Sequence, residues 1–238
     1  MATLTIPAMV IRQSAYRDND RMLTLLSPEM GRVDVLARGC RRAKSPLLTA
    51  TELFATGEFV LYEKQGRYTL VSAVVHESYY ALRLDYARLE NAVFILKLCQ
   101  SAAQANEPNA ELFLLAVRAL HYLSHEDAQE RAVMAAFLLC YADSLGYRPQ
   151  IAACARCGKK RPLGAAALFD EREGGIVCKA CAGEDAGLLS GKRLAWMENV
   201  LERGFEGFAG LPAEDAPETL LRRYVLGKIE RPDLWSEQ

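Results

Sequence analysis

Histidine is scarce, and where it occurs it leads to no catalytic pattern. His76, His121 and His125 are the only three in the chain. None opens the HExxH pair of a zinc hydrolase. Two positions on stand Ser78, Leu123 and Asp127, so the HxE of a zinc deaminase is missing too. A phosphate-binding loop is also lacking. Its nearest relative, Gly191-Lys192, has Ala186 where the first glycine belongs and Arg193 where Ser or Thr should follow. Acid pairs such as Asp18 and Asp20 suit turn chemistry better than magnesium. The expectation is a protein that is not an enzyme.

Long apolar runs are lacking as well. No stretch approaches the roughly 18 unbroken apolar residues of a membrane span. Met1-Ala2-Thr3-Leu4-Thr5 does not have the basic-then-apolar pattern of a secretion signal. The expected location is the cytoplasm, with no membrane partner. An excess of one charge sign is the third absence, since the net charge is −1. That balance hides segregation. Residues 1–80 carry 10 Lys/Arg against 8 Asp/Glu, 81–147 carry 5 against 8, 148–193 carry 9 against 5, and 194–238 carry 5 against 9. Two mildly basic blocks alternate with two acidic ones, and a segregated positive block can attract phosphate at near-zero net charge.

What is present begins with strands. Thr3–Ala15, Arg21–Leu26, Arg32–Cys40, Glu52–Glu63 and Tyr68–His76 are β-rich runs. They are parted by turn signals at Asp18-Asn19-Asp20, Pro28–Gly31, Ser45-Pro46 and Gln65-Gly66. In the third run Val33, Val35 and Ala37 share one face. Five strands in about 80 residues suit a small closed barrel; an OB-fold, an SH3-like barrel or an open meander would give nearly this pattern. After Tyr79 the period changes, with Leu82, Tyr86, Leu89, Val93 and Leu96 at helical steps. Pro108-Asn109 interrupts, and Leu112, Leu115, Ala119 and Leu123 resume. Asp127 is the expected N-cap of a third helix reaching Gly146, and Ser190 that of a fourth ending at Gly204. A last helix carries Leu220, Leu221, Tyr224, Val225 and Ile229 and stops before Pro232.

Seven cysteines make an odd number, which argues against a full disulfide framework. Cys99 and Cys140 lie in apolar helical runs and read as small core residues. Four others pair as Cys154-Ala-Arg-Cys157 and Cys178-Lys-Ala-Cys181, with 20 residues between the pairs. That is the spacing of two zinc knuckles, each a tight turn that aims two sulfurs at one ion. Gly158 suits the left-handed residue after the first knuckle, and Gly174-Gly175 a hairpin between the two. Structural zinc is the first reading. An iron–sulfur cluster, disulfides or an empty site are the alternatives.

Two basic groups stand out. Lys159, Lys160 and Arg161 flank the first knuckle and read either as solvated surface or as cations offered to a phosphate backbone. Arg38, Arg41, Arg42 and Lys44 lie within seven residues, with Arg32 upstream, and no acid occurs from 35 to 51. On a barrel they would sit at the end of the third strand and on the loop after it, on or beside the face OB-folds use for single strands. Tyr16, Tyr62 and Tyr68 could stack bases, although such tyrosines more often cover a barrel.

Together these residues resemble one family. Tyr16-Arg-Asp18-Asn-Asp20, Leu23-Thr24-Leu25-Leu26, Gly31 and Arg38-Gly39-Cys40-Arg41-Arg42-Ala43-Lys44-Ser45 look like the N-terminal signature of the RecO family. Leu145-Gly146-Tyr147-Arg148-Pro149, leading into the four cysteines with Phe169 and Gly174-Gly175, resembles its later motif. Asp18 stands where glutamate is usual. Cys40 replaces a common alanine and adds an exposed thiol. The resemblance implies an α+β multidomain fold. It comprises an N-terminal five-stranded OB-fold barrel (1–80), an α-helical domain in two parts (81–150 and 187–238), and an inserted four-cysteine zinc module (151–186). It implies binding of single- and double-stranded DNA, annealing of complementary strands, and, with RecR, loading of RecA onto DNA coated by SSB, whose C-terminal tail is contacted. A nucleoid-associated cytoplasmic protein follows. By position it implies Arg38, Arg41, Arg42 and Lys44 for DNA and the four cysteines for one zinc ion; Arg32, Lys159, Lys160 and Arg161 join the candidate DNA contacts. An RNA-binding zinc protein of translation or transcription is the alternative.

Overall fold

A computed structural model describes residues 2–125 and 129–234. Five strands open the chain: β1 (Ala2–Arg17), β2 (Asp20–Ser27), β3 (Gly31–Ala37), β4 (Thr56–Lys64) and β5 (Arg67–Glu77). They close into a barrel in the order β1-β2-β3-β5-β4, antiparallel except where β3 runs parallel to β5 at Val35–Tyr68 and Leu36–Thr69. This five-stranded closed barrel is an OB-fold. At 16 residues β1 serves two neighbours, β4 along its first half and β2 along its second. Register shifts at Val10/Arg12 and Ala15/Arg17 bend it between them.

Alternation fills the interior, because successive side chains point to opposite faces. Ile6, Ala8 and Val10 meet Leu23, Leu25, Val33, Val35, Phe59, Leu61 and Leu70 in one cluster. Each large side chain so buried contributes about 1.5–3 kcal/mol. Val33, Val35 and Ala37 face inward together as expected, while Asp34 is exposed.

The third strand is shorter than its sequence run, ending at Ala37 rather than Cys40, and the fourth begins at Thr56 rather than Glu52. Gly39 is the cause at the first end: its φ of +62° turns the chain off the barrel wall. The turn carries Cys40 into the barrel cluster at 0% exposure, which corrects the expectation of an exposed thiol. At the other end of the loop, Arg21 Nη1 donates to the Thr51 carbonyl at 3.2 Å and to Glu52 at 2.8 Å.

Two helices, α1 (Tyr86–Ala102) and α2 (Ala110–Leu123), follow the barrel and complete a first compact unit, Met1–His125. The boundary expected at 80/81 falls inside this unit, between β5 and α1. Backbone bonds tie these helices' connection to the barrel: Arg32 N–H donates to Gln104 O, and Asn109 N–H to Pro28 O. Asp85 and Asn109 cap them through Arg88 N–H and Leu112 N–H. The buried side of α1 is Ala92, Phe94, Ile95, Leu96, Leu98 and Cys99, whereas Tyr86, expected on it, is exposed. Burial pushes the Cys99 thiol up to about 12, as a core cysteine requires.

The second unit, Glu126–Gln238, is built on α3 (Glu130–Ser144), where Ala132–Leu139 are all buried. Against it pack α4 (Gly191–Arg203) and α5 (Glu218–Lys228). Ser190 caps α4 through Arg193 N–H and Gly204 ends it, as expected. Asp127, the expected cap of α3, lies outside the described residues. Between α3 and α4 three short strands, β6 (Ala167–Asp170), β7 (Gly175–Val177) and β8 (Gly187–Leu189), form an antiparallel ribbon in the order β7-β6-β8. Among the described residues no helix is long and apolar enough to cross a membrane.

Candidate metal centre and cationic surface

The ribbon brings the four paired cysteines together. Gly158 N–H donates to the Cys154 carbonyl at 2.9 Å and Cys181 N–H to the Cys178 carbonyl at 2.9 Å, so each CxxC closes as a knuckle. Ile176 N–H to Gln150 O and Ala155 N–H to Ile176 O lay the first knuckle beside β7. Gly175 allows this approach, since a Cβ there would stand 2.3 Å from the Gln150 carbonyl oxygen. Asp170 closes the β6–β7 turn by accepting from Arg172 N–H and Glu173 N–H.

The four Sγ atoms lie within 4.8 Å of one another, and Cys157 and Cys178 are 3.7 Å apart. A tetrahedral zinc–thiolate site with bonds of about 2.3 Å sets its sulfurs about 3.8 Å apart. The cluster could therefore hold a metal ion with little rearrangement. Its protonation points the same way. Amide N–H groups of Cys157 and Cys178 draw the Cys154 thiol down to about 6. The neighbouring sulfurs of Cys178 and then Cys157 push Cys181 up to about 12. Four sulfurs this close cannot all ionise unless a cation neutralises them.

Around the ribbon the basic residues divide. Lys159, Lys160 and Lys179 are exposed. Arg156 pairs with Glu173 at 2.7 Å, Arg172 with Asp185 and Arg223 with Glu171. Arg161 corrects an expectation. Its side chain is only 5% exposed; it donates to the Ile151 and Ala165 carbonyls and pairs with Glu198 of α4. A guanidinium so enclosed holds the ribbon to its helix and is not available to a phosphate.

On the barrel, Arg38, Arg42 and Lys44 line a single shallow groove, with Ser45, Pro46, Leu47 and Val71 of β5 as its floor. Arg41 is exposed but does not line the groove, and Arg32 is half-buried on β3 away from it. The loop is held from the β1–β2 turn. Asp20 accepts from Gly39 N–H at 2.7 Å, and the Asn19 carbonyl accepts from Arg41 N–H at 3.1 Å. Sequence reasoning saw Asp18–Asp20 as a turn but missed it as the anchor of the cations. Of the three candidate tyrosines, Tyr68 packs against the barrel core, Tyr62 is half-buried, and Tyr16 is exposed with the Arg17 guanidinium over its ring.

A five-stranded OB barrel carrying a cationic groove, joined to helices and a four-cysteine ribbon, defines an α+β protein of the oligonucleotide-binding class of folds. Its family is settled by similarity. The family model "Recombination protein O N terminal" matches residues 1–79, and "Recombination protein O C terminal" matches 83–238. A DNA repair protein RecO of Symbiobacterium thermophilum is 30% identical over 97% of this chain and 94% of its own. That of Alkaliphilus metalliredigens is 32% identical over 74% of this chain and 71% of its own. The chain belongs to the RecO family, whose members are DNA repair proteins.

Proposed function

We propose that this chain binds single- and double-stranded DNA and anneals complementary strands. With RecR it would assist loading of RecA onto SSB-coated DNA, contacting the SSB C-terminal tail. The single observation that carries this reading is the barrel groove, where three exposed cations converge on one depression of an OB-fold. Fixed cations neutralise phosphates and release condensed counterions, which lowers the repulsion between two strands. Arg41 beside the groove and Arg32 on the barrel wall would add to the same field, and Lys159 and Lys160 on the ribbon would offer a second cationic surface. The activity breaks no bond, and a cytoplasmic site at the nucleoid suits it.

Zinc is the ion we assign to the ribbon. Cys154, Cys157, Cys178 and Cys181 would hold it, and a closed four-sulfur shell supplies bracing with no open position for a water.

The test is annealing of complementary oligonucleotides, each coated with SSB, in the absence of ATP. Duplex formation should be faster with the chain than without it. No acceleration at modest salt, together with tight binding of structured RNA, would replace this reading with an RNA-binding role.

A further inference from the structure

The inference rests on the DNA reading above and narrows what the barrel groove recognises. We propose that the groove reads a bare phosphodiester chain: it grips sugar and phosphate and leaves the bases outside. A strand stripped of its bases would then be as good a ligand as an intact one.

The charges in the groove are uncommitted. Among the described residues, no carboxylate engages Arg38, Arg42 or Lys44. In contrast Arg148, Arg156, Arg161, Arg172, Arg222, Arg223 and Arg231 each have an acidic partner. Like charges crowded without counterions repel one another, and a polyanion relieves that repulsion.

The floor, in turn, offers a base no aromatic platform. It is a hydroxyl, a proline ring and two aliphatic side chains, and among the described residues that line it there is no aromatic ring. Platforms that stack bases are built from aromatics. The candidate tyrosines of the barrel do not line the groove: Tyr68 packs on the core, Tyr62 is half-buried on β4, and Tyr16 lies on the β1–β2 hairpin beneath Arg17.

The loop is also preorganised. Asp20 and Asn19 hold the backbone at Gly39 and Arg41, and Ser45 N–H closes a turn onto the Arg42 carbonyl at 2.9 Å. Cations set at fixed positions match a ligand whose charges repeat, whatever its sequence.

The experiment is an anisotropy titration of two labelled strands of equal length, oligothymidylate and a fully abasic tetrahydrofuran analogue, over a range of salt. The two Kd values should agree within about threefold, because no stacked base is lost. Their salt slopes should run parallel. Arg38→Ala with Arg42→Ala should weaken both strands alike, and Tyr16→Ala neither. Abasic binding weaker by more than about tenfold, the size of one stacked base, would overturn the proposal. So would abasic binding that the double substitution leaves unchanged. If neither strand is bound, the DNA reading itself falls, and this one with it.

Discussion

At the scale of single residues, the sign of a charge is a poor guide to its role. Asp20 is an acid beside a cationic groove, so electrostatics alone would have its removal strengthen the binding proposed there. Its geometry says otherwise, since its carboxylate holds Gly39 at the point where the cationic loop leaves β3. Asp20→Ala removes the acceptor and should weaken DNA binding about 3- to 10-fold, the scale of the roughly 1 kcal/mol net contribution of a single hydrogen bond that holds the loop. Asp20→Asn keeps an acceptor oxygen and removes the charge, and should bind as well as the native chain or slightly better. Titrations of both variants at one salt concentration decide the matter; equal tightening in both would reduce Asp20 to a simple repulsive charge. The converse case is Arg161. In sequence it is indistinguishable from Lys159 and Lys160. The fold separates them, because Arg161 alone has the Ile151 and Ala165 carbonyls and Glu198 within reach of its guanidinium, while Lys159 and Lys160 stay exposed. A cluster of like charges in sequence carries no record of which member faces inward.

At the scale of elements, legibility followed the physics of each signal. The barrel strands were readable because their inward faces alternate, and the knuckles because two CxxC pairs 20 residues apart leave few other uses. Strand ends were not readable. Cys40 continues the β-like run of β3, and only a positive φ at Gly39 breaks it. The stripe on α1 also misled. Leu96 is buried and Leu89 half-buried, but Tyr86 begins the helix in solvent, 74% exposed. The ribbon's dependence on its ion is the testable matter at this scale. Its three strands have three or four residues each, too few to hold themselves, so we expect metal binding and ribbon folding to be coupled. Prolonged chelation, or Cys154→Ser, should release zinc in equimolar amount and lower Tm by at least about 5 °C, because a closed structural site contributes several kcal/mol. Elemental analysis beside thermal unfolding checks both halves. An unchanged Tm in demonstrably metal-free protein would show the ribbon to be self-supporting.

At the scale of the whole molecule, a net charge of −1 hides a segregation into basic and acidic stretches. Annealing needs two strands held together, and the described residues offer two exposed basic surfaces on two separate compact units, the barrel loop and the ribbon lysines. If each strand has its own surface, binding one strand and joining two become separable properties. Arg38→Ala with Arg42→Ala should weaken single-strand affinity and reduce the log–log salt slope by about 1 to 2, roughly one released counterion per lost contact. Annealing should fall in proportion. Lys159→Ala with Lys160→Ala should leave single-strand affinity within about twofold while annealing slows severalfold, because only the second polyanion loses its countercharge. Anisotropy and stopped-flow duplex formation on the same preparations read the two properties independently. If the lysine pair leaves annealing at its native rate, the second strand is held elsewhere, and the barrel groove of another copy becomes the natural place to look.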